Sequence, residues 1–208
     1  MGTRARHEYE KENMRKLILE SATKIIIEEG YDNLSMRKIA DAIDYSPTTI
    51  YIYYKDKAQI VGDISRQIYE KIVFNIKKVL EENKGISIDN QLELTFREFI
   101  ISITNNSEMG KAIIRSGTSA IFGPEEGAES PEENGIAILQ TLLLKGQQQS
   151  MLRKLDNNVS WMLITALLGF AMNAIENQLY LGANWPELVS VYTKMLMNGL
   201  LTGEGDEM

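Results

Sequence analysis

The chain has 208 residues, 44% hydrophobic and 25% charged, which is enough to bury a real core and ordinary for a globular protein. It has no cysteine and a single histidine, His7, which excludes a disulfide framework, thiolate metal sites and histidine-based triads. The net charge of −7 is uneven: residues 1–60 carry ten Lys/Arg against ten Asp/Glu, so the whole acidic excess lies after residue 60.

An acidic chain is poorly suited to nucleic acid, since phosphate contacts need local positive charge. The neutral N-terminal segment is the exception. Arg4, Arg6, Lys11, Arg15 and Lys16 cluster there, either as a solvated leader or as part of a binding face. No apolar run approaches the roughly eighteen residues a membrane span needs. The longest, Trp161 to Ala174, is broken by Thr165, Gly169 and Asn173. The charged N-terminus has no apolar signal core, so a cytoplasmic location is expected.

Met14, Leu17, Ile18, Ala22, Ile25 and Ile26 recur at helical spacing, which predicts a first helix over about 9–29 closed by Gly30. Ser35 is an N-cap, with Leu34 and Ile39 at the staple positions, so a second helix runs to about Ala42. After Ile43-Asp44-Tyr45, Ser46 and Pro47 form a second start, cap then first-turn proline. Thr48 to Tyr54 is β-branched and aromatic, which local propensity reads as strand. The flanking caps and the lack of any partner strand decide for helix. Asp56 and Gln59 form a variant capping box for a fourth helix to about Leu80. Further helices are expected around Leu92–Ile103 and Met109–Arg115, from Ser130 to Gln149, from Asn158 to Leu181 and from Asn184 to Leu201. The stretch 116–130 reads as a loop, and the final GEGDEM as disordered. The expected class is all-α, about nine helices.

Two short helices joined by three residues make a helix-turn-helix, whose second helix enters the major groove. At 100° per residue, Pro47, Ile50 and Tyr54 share one side of that helix. Thr48, Thr49, Ile52 and Tyr53 share the other, and Tyr51 sits at the border. Hydroxyls and methyls suit phosphates, base edges and the thymine methyl. Arg37 and Lys57 stand at flanking helix N-termini, which also favour phosphate. Spacing alone fits equally three short core helices with an exposed aromatic patch.

Residues 14–64 resemble the N-terminal DNA-binding domain of TetR/AcrR transcriptional regulators. The resemblance rests on Glu28-Glu29-Gly30-Tyr31, Leu34 to Ala40, and above all Ser46-Pro47-Thr48-Thr49-Ile50-Tyr51-Ile52-Tyr53-Tyr54-Lys55-Asp56-Lys57. Asp44 departs from it, standing where the family usually has glycine; aspartate tolerates the left-handed conformation better than most residues. The resemblance implies a DNA-binding domain over 12–72 (helix-turn-helix about 35–54) and a helical ligand-binding and dimerisation domain over 73–204. It implies DNA contacts from Arg37, Thr49, Tyr51, Tyr53 and Lys57, with Pro47 and Thr48 near base edges; Ser46, opening the same helix, joins the set.

It further implies a homodimer paired through the last two helices, a palindromic double-stranded DNA operator, and a small, largely apolar effector. The expected function is a ligand-released repressor; a helical ligand-binding protein that does not bind DNA is the alternative. The helix beginning near Asn158 is apolar nearly all round, which fits a core on one side and a partner on the other, or a central core helix in a monomer. Candidate interface residues are Ala166, Ala174, Val191 and Met195. Candidate ligand contacts are Phe96, Phe99, Met109, Phe122, Trp161, Met162, Phe170 and Asn173, each equally suited to plain core. Glu125-Glu126 and Glu132-Glu133 are the nearest thing to catalytic pairs. No catalytic residue, metal or cofactor is expected, and no enzyme activity.

Overall fold

The computed structural model describes residues 3–116, 135–156 and 158–202. They form nine α-helices and no strand. In chain order these are α1 (Thr3–Glu29), α2 (Met36–Ala42), α3 (Pro47–Tyr53), α4 (Lys57–Glu82), α5 (Ile88–Thr104), α6 (Ser107–Ser116), α7 (Gly135–Gln148), α8 (Val159–Glu176) and α9 (Trp185–Asn198). Single 3-10 turns lie at Tyr31–Asn33 and Leu179–Leu181. The protein is all-α, with a helix-turn-helix at its N-terminal end. Two compact units divide it, one drawn from residues 1–69 and 106–123, the other from 70–105 and 124–208.

The first unit is built around α1. Its buried stripe of Ile18, Ala22 and Ile26 meets Ile39 of α2, Ile50 of α3, and Ile60 and Ile64 of α4. α6 completes this core: Met109 and Ala112 are buried in it, and α6 lies against α1 and the turn at Tyr31–Asn33. The expected C-terminal domain over 73–204 includes this helix, whereas its buried face packs in the first unit.

The caps behave as short-range physics predicts. Ser35 Oγ accepts the Lys38 N–H at 3.2 Å. Ser46 Oγ accepts the Thr49 N–H, also at 3.2 Å. Asp56 Oδ1 accepts the Gln59 N–H at 2.9 Å, while the Gln59 side chain reaches back to the Lys55 N–H at 2.8 Å. Each pairs backbone donors that a helix start leaves orphaned. Gly30, just past α1, has φ 82° and ψ 161°, a positive-φ extended conformation open to glycine because it has no Cβ.

α3 is helical despite its strand-like composition. Ile50 is wholly buried, so tertiary packing outweighs a local preference worth about 1 kcal/mol or less per residue.

In the second unit α5 lies against α7, α8 and α9. Phe96, Ile100 and Ile103 of α5 are buried, as are Leu163, Leu167, Ala171 and Ala174 of α8. That last set recurs at three and four, one stripe rather than a helix buried all round.

Four sequence expectations need correction. α1 begins at Thr3 instead of near 9; an Arg6–Glu10 pair at 3.1 Å supports the added turns. Asn158 caps nothing: its backbone is αR, and its N–H donates to Asp156 Oδ1 at 2.8 Å. α8 stops at Glu176, and Gln178 enters the left-handed region at φ 55°. Asn184 makes no side-chain cap, and α9 ends at Asn198. At 18 residues and a mean hydropathy of 1.5, α8 is also long and apolar enough to cross a membrane by those criteria. Its buried stripe against α5 is what a core helix of a folded unit shows. Ser116, expected to open a loop, is the last residue of α6; the rest of that loop, the first turn of the helix from Ser130, the acidic pairs there and the final GEGDEM lie outside the described residues.

Candidate nucleic-acid interface

The turn between α2 and α3 is set by hydrogen bonds at the end of α2. The Tyr45 N–H donates to the Ala40 carbonyl at 3.0 Å, and the Asp44 N–H to the Asp41 carbonyl at 3.5 Å. This is a Schellman pair, which places the intervening residue in the left-handed region. Asp44 occupies it with φ 58°. An aspartate thus does what glycine does most cheaply, and only residues 43–46 separate α2 from α3.

α3 is anchored on one side only. Ile50 and Tyr54 are buried in the core, and Tyr53 packs half-buried beside them. The Tyr54 hydroxyl donates to Asp63 Oδ2 at 3.0 Å, tying the end of α3 to α4. The Arg15 guanidinium of α1 lies 5.4 Å from the centre of the same ring.

The opposite side faces solvent. Tyr51 is 56% exposed and Ile52 73%, and Tyr45, just ahead of the helix, is 45% exposed. Thr48 is exposed; Pro47 and Thr49 are half-buried. Thr49 is not free to read a base edge independently, since its hydroxyl lies 3.0 Å from Ser46 Oγ within the cap. Arg37, at the second position of α2, is exposed with Nε 3.8 Å from Asp41. Lys38, its neighbour, pairs instead with Glu29. Lys57 opens α4, and its ammonium lies 4.4 Å from the centre of the Tyr31 ring. Burial, then the charges of Asp32 and Asp56, push the Tyr31 phenol above its ordinary pKa.

The residues expected at DNA therefore fall on or beside one short helix and two helix starts. Sequence reading omitted three neighbours from that set. Ile52 and Tyr45 are exposed alongside it, and helical spacing puts Ile52 on the face of Thr48. Tyr31 carries no such signal, because its contact with Lys57 spans 26 residues.

The candidate ligand and dimer residues are not gathered in one place. Phe96 and Phe99 are buried on α5, whereas Trp161, Met162 and Asn173 of α8 are exposed. Met109 is committed to the core of the N-terminal unit. Phe122 lies outside the described residues. Phe170 stacks on Tyr192 at 4.0 Å and on Trp185 at 5.7 Å, so its ring is used in fastening α9. Ala166 accepts the Tyr192 hydroxyl at its carbonyl, 2.7 Å away. Ala174 is fully buried and has no surface to offer a second copy; Val191 and Met195, each 60% exposed, do.

Residues 18–64 match the profile of the bacterial regulatory proteins of the tetR family. Over these residues, which hold the helix-turn-helix and most of α1, the chain is similar to that family. An uncharacterized helix-turn-helix-type transcriptional regulator of Haemophilus influenzae is 24% identical over 74 residues, 36% of this chain. The match spans 40% of that relative's length. Beyond the N-terminal domain the tetR likeness is one of fold. A tetR-family regulator of Pectobacterium atrosepticum superposes with a TM-score of 0.71 at 17% identity, covering 94% of this chain and 97% of that one. The structure of RolR in complex with resorcinol gives 0.66 at 14% identity, over 90% of this chain and 89% of the other. The chain thus has the fold of a tetR-type transcriptional regulator over nine-tenths of its length.

Proposed function

We propose that this protein is a ligand-responsive transcriptional repressor that binds a palindromic DNA operator as a homodimer and leaves it when a small, largely apolar molecule enters the C-terminal unit. The observation that carries the reading is the two-sidedness of α3. Ile50 and Tyr54 fix it in the core, while Thr48, Tyr51 and Ile52 stand in solvent between the starts of α2 and α4. A short helix held this way is a probe for a groove. The flanking Arg37 and Lys57, with Ser46, Pro47, Thr49 and Tyr53 around them, are assigned to backbone contacts.

The apolar residues left exposed on the last two helices, Trp161 and Met162 of α8 with Val191 and Met195 of α9, support pairing of two copies there. A two-fold dimer presents two α3 helices to two half-sites. RolR, of like fold, was solved with resorcinol, which supports a small ring compound as one class of effector. The effector is assigned to the C-terminal unit, in which Phe96 and Phe99 form the aromatic interior. α4 continues from one unit into the other and is assigned as the lever. A preference of roughly 1–3 kcal/mol for the DNA-incompetent form weakens binding about five- to 150-fold. The site of action is the cytoplasm, where the operator lies.

Gel-shift titration of the full chain against duplexes from its own upstream region tests this. Binding that weakens linearly in log salt, with a sequence-selective component, is the expected result. No retarded complex at low salt with any nearby promoter overturns it.

A further inference from the structure

α3 has the sequence Pro-Thr-Thr-Ile-Tyr-Ile-Tyr over residues 47–53. It contains none of the side chains that make paired hydrogen bonds to a base. There is no arginine or lysine for guanine, no asparagine or glutamine for adenine, and no carboxylate for cytosine. Selectivity from this helix has to come from single hydroxyls and from apolar contact.

The structure narrows the choice further. Ile50 is buried and Tyr53 packs against the core. The Thr49 hydroxyl lies against Ser46 in the cap. Pro47 is half-buried in the first turn, which leaves Thr48, Tyr51 and Ile52 as the exposed residues of α3. A tyrosine hydroxyl makes one long-armed hydrogen bond, which suits a phosphate. Ile52 is 73% exposed, the most exposed large hydrophobic residue among those described, and it follows Thr48 by four positions, so the two share one strip of the helix. A lone exposed isoleucine on an ordinary surface means little. This one stands on the outward face of the helix, where a groove floor would meet it. The one base-edge feature in the major groove that an aliphatic side chain recognises is the C5-methyl of thymine.

Resting on the duplex-binding reading above, we infer that Ile52, with the Thr48 methyl beside it, selects thymine: each operator half-site carries a thymine whose methyl packs against this strip. Ile52 is thereby a specificity-determining residue, distinct from the residues that hold the backbone.

The test uses the full chain. Duplexes are first selected from a random pool, and thymines in the recovered site are then replaced one at a time by deoxyuridine, which removes only the methyl. Wild-type protein is expected to lose about fourfold in affinity per half-site at one thymine position, the worth of one buried methyl-sized group. Ile52→Ala is expected to bind the thymine duplex correspondingly more weakly and to be indifferent to uracil there. It should keep its salt dependence and its circular-dichroism spectrum, because the side chain supports no core contact. Uracil tolerated at every thymine by the wild type, or a uracil penalty that survives in Ile52→Ala, overturns the inference while leaving duplex binding intact. Recovery of no selected duplex overturns both.

Discussion

The ammonium of Lys57 stands 4.4 Å above the centre of the Tyr31 ring. A long lysine at a helix start otherwise samples many rotamers, and holding it over a ring face reduces what must be ordered when a phosphate arrives. Tyr31→Ala is expected to weaken duplex binding about two- to fivefold, the range of a partly exposed cation–π contact. It should have no further effect in a Lys57→Ala background, and Tyr31→Phe should behave as wild type. Fluorescence anisotropy on the four proteins of this cycle gives the coupling; additive losses would show that the ring acts elsewhere.

Tyr54 gives the N-terminal unit an alkaline limit. Burial, then the charge of Asp63 and the hydrogen bond to it, hold the phenol well above its ordinary pKa of 10.0. The folded state therefore favours the protonated form. Its stabilisation is complete below pH 10 and is lost as the pH rises above 10 toward the folded value. Tyr54→Phe should cost about 1.5–3 kcal/mol at neutral pH, a hydrogen bond to a charged group, and should flatten the stability loss above pH 10. Urea melts of both proteins at neutral and alkaline pH measure this. Part of the slope should survive in the variant, since burial also raises Tyr31 and Tyr192.

Asp44 holds a conformation that costs an L-residue energy. Asp44→Gly is expected to raise stability by about 1 kcal/mol or less, and Asp44→Val to lower it by about 1–2 kcal/mol, since a β-branched residue is least able to adopt positive φ. Chemical denaturation with an unchanged m-value would confirm that only the turn has altered.

Ser46 separates capping from binding. Ser46→Asp retains a side-chain acceptor for the Thr49 N–H and should leave the melting temperature within about 2 °C. The added negative charge faces the proposed phosphate backbone, so affinity for duplex should drop tenfold or more at low salt. Equal binding by the variant would remove Ser46 from the interface.

Val191 and Met195 carry the dimer assignment. Val191→Asp with Met195→Glu places two charges on an exposed face, so helix content should be preserved. Sedimentation should show the dimer converted to monomer, with operator binding reduced far more than for any single half-site contact. A variant that still sediments as a dimer would locate the interface elsewhere.

What was legible from sequence was local. The caps at Ser35, Ser46 and Asp56, the glycine stop at Gly30 and the left-handed Asp44 all follow from forces acting across three or four residues. So does the burial of Ile50 and Tyr54. Asn158 and Asn184 are cap-forming residue types, yet neither adopts the extended backbone that aims the side chain at the following amides. The aromatic and methionine residues proposed as ligand contacts failed to converge for another reason. Met109, Phe170 and Trp161 are alike in composition and spacing, and only tertiary contacts distinguish a core residue, a stack on α9 and a solvent-facing ring. Likewise no local rule links Tyr31 to Lys57.

The burial of Met109 and Ala112 among the residues of α1 and α2 has a consequence for how the protein is made. The first seventy residues leave the ribosome lacking one wall of their own interior. That oily gap stays open until some forty more have been translated. A product cut short before α6 would be sticky rather than merely inactive, because the compact unit that holds α3 is discontinuous in sequence.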